Sequence, residues 1–123
     1  MVNRKQHFGL QGEELAAEHL KKNGYKIIER NFRTHAGEID IIAKHKGQIV
    51  FTEVKTRKTN RYGHPKLAVT DHKQRKISMV ALAYLKRHYT LETSARFDVV
   101  TIQSSDDGPT IEIFPNAFEL AYG

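Results

Sequence analysis

The stretch GEIDIIAKHKGQIVFTEVKTR, Gly37 to Arg57, constrains this chain more than any other. Two runs rich in Ile and Val, Glu38–Lys44 and Gln48–Thr56, flank Lys46-Gly47. Such runs around a short turn predict a β-hairpin, and Gly at the second turn position fits a type I′ turn. His45 then faces Gln48, Ile42 faces Phe51, Asp40 faces Glu53 and Glu38 faces Lys55. Strand side chains alternate between faces. One face therefore carries Glu38, Asp40, Ile42, Phe51, Glu53 and Lys55, apolar near the turn and charged away from it. The other carries Ile39, Ile41, Ala43, Val50, Thr52 and Val54, and is core.

Two carboxylates directly across a strand pair repel each other. Positive charge therefore belongs between Asp40 and Glu53. Lys55 is one candidate, and a divalent cation is a better one, since Mg²⁺ is commonly held by one or two carboxylates with water and substrate phosphate. Such a cation activates water near neutral pH and stabilises charge on a phosphate. Lys55, on the same face as Glu53, could orient or deprotonate the water, or hold the scissile phosphate. The plain alternative is a solvated face of acid–base pairs. A bulge would also shift this pairing.

A chain of 123 residues is expected to form one domain, residues 1–123, with its own core. It has no cysteine, which excludes disulfides and thiolate metal sites. No apolar run approaches the roughly 18 residues of a membrane span, and the basic N-terminus lacks a following apolar segment of the secretory kind. No membrane partner and a cytoplasmic location are the expectation. Lys and Arg number 20 against 14 Asp and Glu, a net charge of +6, which favours a polyanionic partner such as nucleic acid.

Along the chain, Phe8–Asn23 predicts a helix with Leu15, Ala16, His19 and Leu20 on one stripe, and Gly24 ends it. Tyr25–Phe32 predicts a strand. Thr70 can cap a helix from Asp71 to about His88, whose stripe is Ile77, Val80, Ala81, Tyr84 and Leu85. Arg96–Gln103 predicts a strand, Ser104–Pro109 a turn, Thr110–Phe114 an edge strand and Asn116–Leu120 a last short helix. The order is that of an α/β or α+β sheet with packed helices.

The basic loop after the hairpin carries Arg57, Lys58, Arg61, Tyr62, His64 and Lys66, and the next helix opens with Lys73, Arg75 and Lys76. As a nucleic-acid surface these would touch phosphates and bind with little sequence preference. A solvated loop is the alternative. The seven histidines show no zinc spacing. Asp98 is expected to pair with Arg96, or else to support the site.

Asp40 followed by Glu53-Val54-Lys55 is similar to the motif of PD-(D/E)XK nucleases. The surroundings narrow this. Gly12-Glu13, Ala16-Ala17, Leu20, Gly37–Ile42, Phe51–Arg57, Tyr62-Gly63, Val69, Lys73, Arg75-Lys76-Ile77 and Arg96–Val100 together resemble the YraN family of bacterial proteins over nearly the full length. The fold of that family is similar to archaeal Holliday-junction resolvases. The resemblance implies a restriction-endonuclease-like mixed sheet of about five strands flanked by helices. It implies that Asp40 and Glu53 hold Mg²⁺ or Mn²⁺ and that Lys55 is the catalytic lysine. Glu13 matches a first-helix glutamate that supports the metal site in related resolvases, or is an ordinary exposed acid. Glu38 belongs to the YraN signature, and either supports the site or pairs with Lys55. The motif proline is replaced by Ile39. Gln74 is followed four residues on by Ser78, so the Q-x-x-x-Y motif of helicase-linked nucleases is missing.

The expectation is thus a Mg²⁺- or Mn²⁺-dependent endonuclease acting on DNA, with an RNA-directed nuclease using the same residues as a further reading. Branched DNA enters only by the resolvase analogy, and one fold hosts many functions. The alternative is a non-catalytic nucleic-acid-binding accessory protein with a vestigial site. Relatives of the fold often dimerise, and IEIFPNAFEL, Ile111 to Leu120, would supply the edge of a homodimer.

Overall fold

The computed structural model describes residues 4–57, 69–89, 93–104 and 106–119, with side chains of the first helix from Gln11 onward. Its elements are α1 (Arg4–Lys22), β1 (Lys26–Thr34), β2 (Gly37–His45), β3 (Gln48–Arg57), α2 (Asp71–His88), β4 (Ala95–Gln103) and β5 (Thr110–Phe118). The strands form one mixed sheet in the order β1-β2-β3-β4-β5, so β1 and β5 are its edges. Among the described strands, β3 and β4 are the one parallel pair. Parallel neighbours need a crossover rather than a tight turn, and α2 lies on that connection.

Both faces of the sheet are covered, which makes this an α+β fold. Ala16, Ala17 and Leu20 of α1 pack with Ile41, Ala43, Val50, Val100 and Ile102. Ile77, Val80, Ala81, Tyr84 and Leu85 of α2 pack with Ile39, Ile42, Phe51, Phe97 and Val99. Leu15, expected on the buried stripe of α1, is instead 36% exposed, and Ala17 takes its place. The small alanines let α1 approach the sheet closely.

The hairpin turn falls where the sequence placed it, with Lys46 at φ 49° and Gly47 at φ 78°. This is the pair of positive angles that a type I′ turn requires. At the front of α2, Thr70 caps the helix by accepting the Lys73 backbone N–H at 3.2 Å. No helix among the described residues is long and apolar enough to cross a membrane.

Asn116–Leu120 is not a helix. β5 continues to Phe118, and Leu120 lies outside the described residues. Pro115 is compatible with a strand because β5 is an edge. The β4–β5 register shifts between Phe97 and Val99, and Asn116 takes a positive φ of 54°. Its backbone N–H turns inward and donates to Asp98 at 3.0 Å. Asp98 is fully buried. It pairs with Arg96 at 3.0 Å and accepts from the Tyr25 hydroxyl at 2.8 Å. Arg96 also donates to Gln48 and meets His45 Nδ1 at 2.7 Å. Asp98 is thus a paired and bonded structural acid, as the Arg96 spacing suggested, and its partners lie toward the hairpin turn.

Candidate functional site

The β2–β3 ladder runs from His45↔Gln48 to Ile41↔Thr52. The expected facing pairs, Asp40 with Glu53 and Glu38 with Lys55, do not form. The strands part there instead, and the Asp40 carboxylate reaches into the fork to accept the Val54 N–H at 2.8 Å. A side chain thus takes over where a ladder bond would have stood. The face pattern changes at the same place. Ile39 packs with Ile42 on the α2 side, whereas Ile41 and Ala43 pack on the α1 side. The regular alternation assigned to Glu38–Ile42 therefore slips at Asp40.

This slip gathers acids from two elements. Carboxylate oxygens of Glu13 on α1 and of Glu38 and Asp40 on β2 lie within 4.8 Å of one another. Glu13 reaches them because α1 crosses β3 at Gly12. A Cβ built on Gly12 would sit 2.6 Å from Thr56 Cγ2. A helical glycine costs about 1 kcal/mol relative to alanine, and this close approach is what it permits. Gly12→Val is expected to lower stability by about 2 kcal/mol through overpacking. It should also weaken Mn²⁺ binding by moving Glu13, which thermal melts and metal titration would measure.

Three of the four acids have their own cation. Arg30 lies 3.8 Å from Glu13 and also pairs with Glu14. Arg33 pairs with Glu38 at 3.1 Å, so Glu38 does not pair with Lys55. With its amide turned so that the nitrogen faces the acids, Asn31 can donate to Glu38 at 2.9 Å and to Glu13 at 3.2 Å. Glu53 is buried, and one of its oxygens meets both Lys73 at 2.6 Å and Lys55 at 3.4 Å. Among the described residues, no ion pair reaches Asp40. Burial first, and then the charge of Glu53, push the Asp40 carboxyl up to about 7, against the pull of the Val54 N–H.

Lys55 is lowered from the ordinary lysine value, by burial first and then by Lys73. Burial also works to lower Lys73, but its bonds to Glu53 and Lys55 outweigh that and hold it raised. The site therefore combines a half-buried acid that binds protons readily with a lysine that gives them up readily. That is the kind of perturbation on which acid–base and metal chemistry draws.

The acids present only oxygen donors, which suit hard cations such as Mg²⁺ and Mn²⁺. Of the residues expected to meet nucleic acid, Arg57 ends β3, and Arg75 and Lys76 are exposed on α2. Lys73 is turned into the site. Lys58, Arg61, Tyr62, His64 and Lys66 lie outside the described residues. Arg30, Asn31 and Arg33 are neighbours of the acids that no motif in the sequence marked. The signal for Asn31 was its residue type, since Asn tolerates the positive φ of 55° found there.

A helix-covered mixed sheet with an acid–lysine cluster where two central strands part defines the class. The chain belongs to the uncharacterised protein family UPF0102, whose model matches residues 12–102, and this is the YraN family that the signature residues resemble. A UPF0102 protein of Geobacter metallireducens is 54% identical over 93% of each chain. One from Geobacter sulfurreducens is 55% identical over 93% of this chain and 90% of its own. One from Desulfosudis oleivorans is 50% identical over 97% and 95%. Among solved structures, Pyrococcus furiosus SfsA in complex with Ca²⁺ aligns with a TM-score of 0.41 at 10% identity, over 94% of this chain and 64% of that one. This chain thus spans a little under two thirds of that protein's length, and the likeness is too slight to bear on function.

Proposed function

We propose that this protein is a Mg²⁺- or Mn²⁺-dependent endonuclease that hydrolyses phosphodiester bonds in DNA. The observation that carries this reading is Asp40, a half-buried carboxyl beside three other acids, which no ion pair among the described residues neutralises. Leaving such a group unmatched costs stability, and sites that do chemistry tolerate that cost. Asp40 and Glu53 would hold the cation, with Glu13 supporting and Glu38 completing the acidic cluster. When bound, the cation supplies Lewis acidity toward the scissile phosphate.

Lys55 stands beside Glu53 with its proton affinity reduced. Its ammonium can hold a phosphate oxygen, and its free amine can take a proton from the attacking water. The water oxygen bonds to phosphorus, one P–O bond breaks and the leaving oxygen takes up a proton. Exposed Arg75 and Lys76, with Arg57, give the DNA backbone cationic contacts that do not depend on sequence.

The test is cleavage of labelled duplex, single-stranded, flap and four-way DNA, with RNA counterparts, in Mg²⁺, Mn²⁺ or EDTA. Metal-dependent cutting of DNA is the expected result, and the preferred form names the substrate. Branched DNA is the first form to try. Metal binding with no cutting of any form would favour the accessory nucleic-acid binder. A shift of mass with concentration would support the homodimer.

A further inference from the structure

Two lysines converge on a single oxygen of Glu53, and they differ in kind. Lys55 approaches from the same strand at 3.4 Å and keeps 25% of its side chain exposed. Lys73 comes from the first turn of α2, makes the closer contact at 2.6 Å and is 41% exposed. Glu53 itself is only 7% exposed. A carboxylate this buried needs a cation beside it at all times. The Thr70 cap fixes the turn that carries Lys73, and the flexible four-carbon stem beyond it has solvent at its side.

Resting on the metal site proposed above, we infer that Lys73 is the exchange partner of the metal at Glu53. Its ammonium neutralises Glu53 in the metal-free protein and leaves when the cation arrives. Metal affinity is then a net quantity, the gain of the cation less the loss of the Lys73–Glu53 pair. The second lysine does not play this part, because it is shorter of solvent and bound to the strand that carries Glu53. Lys73 is a positioning residue on this account: it holds Glu53 oriented and sets how much metal is needed to load the site.

The prediction has a sign that mere damage would not produce. Removing a neighbour of the site by substitution ordinarily weakens metal binding, but removing this one should strengthen it. Mn²⁺ alone, titrated into the full chain by calorimetry, is the probe. Lys73→Met keeps the length and loses the charge, and should bind Mn²⁺ about tenfold more tightly, the equivalent of about 1.4 kcal/mol. Lys73→Gln should do the same if the methionine variant folds poorly. Lys73→Arg keeps the charge and should stay near the wild-type affinity. Lys86→Met, at the far end of the same helix, removes the same charge remotely and should change the affinity by less than about twofold, since exposed charges are screened over that range. Unchanged or weaker Mn²⁺ binding in both Lys73→Met and Lys73→Gln would overturn the inference. An equal gain in Lys86→Met would overturn it too, by showing a net-charge effect. A wild-type chain and variants that take up no Mn²⁺ at all would instead overturn the metal site itself, and the inference with it.

Discussion

Glu53→Gln and Asp40→Asn are each expected to lower metal-dependent DNA cleavage by about a thousandfold. Both substitutions keep the shape of the side chain and remove its charge. In the Asp40→Asn variant the new amide oxygen can still accept the Val54 N–H that closes the fork between β2 and β3, so the fold should survive. Both should also lose Mn²⁺ affinity, because each removes a charged oxygen donor. Lys55→Ala should fall as far in kcat by a different route. Its Mn²⁺ binding should be kept, since Lys73 still makes the closer contact to Glu53. Single-turnover cleavage beside metal titration separates the two kinds of loss. A Lys55→Ala variant that lost metal binding would show that the lysine serves mainly to hold Glu53.

The second large effect is on pH. In the metal-free protein, burial and the charge of Glu53 raise the Asp40 carboxyl from 3.8 to about 7. A raised carboxyl favours the protonated form in the fold. Its contribution to stability is fully present below about pH 4 and is lost as pH rises through about 7. Metal-free Asp40→Asn should therefore be more stable than wild type at pH 8 and no more stable near pH 4. The difference at pH 8 should be on the order of 2 kcal/mol. The proton and the metal compete for the same carboxylate. Below pH 7, Mn²⁺ affinity should fall about tenfold per unit, so binding at pH 5 should be about a hundredfold weaker than at pH 8. Thermal melts and Mn²⁺ titrations at pH 5, 6, 7 and 8 would check both halves. Stability of the metal-free protein that rose through this window would contradict the account of Asp40.

Much of this was legible from residue pattern because both hairpin strands alternate cleanly near the turn and Lys46-Gly47 marks their centre. What was hidden is the slip at Asp40. Ile39 and Ile41 are equally apolar, and with helices on both sheet faces an isoleucine is satisfied on either side. Hydrophobic pattern alone therefore cannot record the change of face, although a bulge was an open alternative. The C-terminal error has a similar source. A short helix is expected from Asn116, but there the β4–β5 register shifts and the Asn116 N–H donates to Asp98 across the sheet. Lys73 was legible as a cation near the site and not as a partner of Glu53. A lysine in a first helical turn looks the same whether it faces solvent or a buried acid, and only the position of α2 over β3 decides that.

Asp40, Glu53 and Lys55 are proposed to carry out metal-dependent hydrolysis of DNA together. The most direct measurement is single-turnover cleavage of labelled four-way and duplex DNA in Mn²⁺ by wild type and Glu53→Gln prepared identically. Cutting by wild type that EDTA stops is expected, and the glutamine variant should lose it by about a thousandfold while staying folded at the assay temperature. Cutting that survives in the glutamine variant, or no cutting by a wild-type protein that binds Mn²⁺, would contradict it.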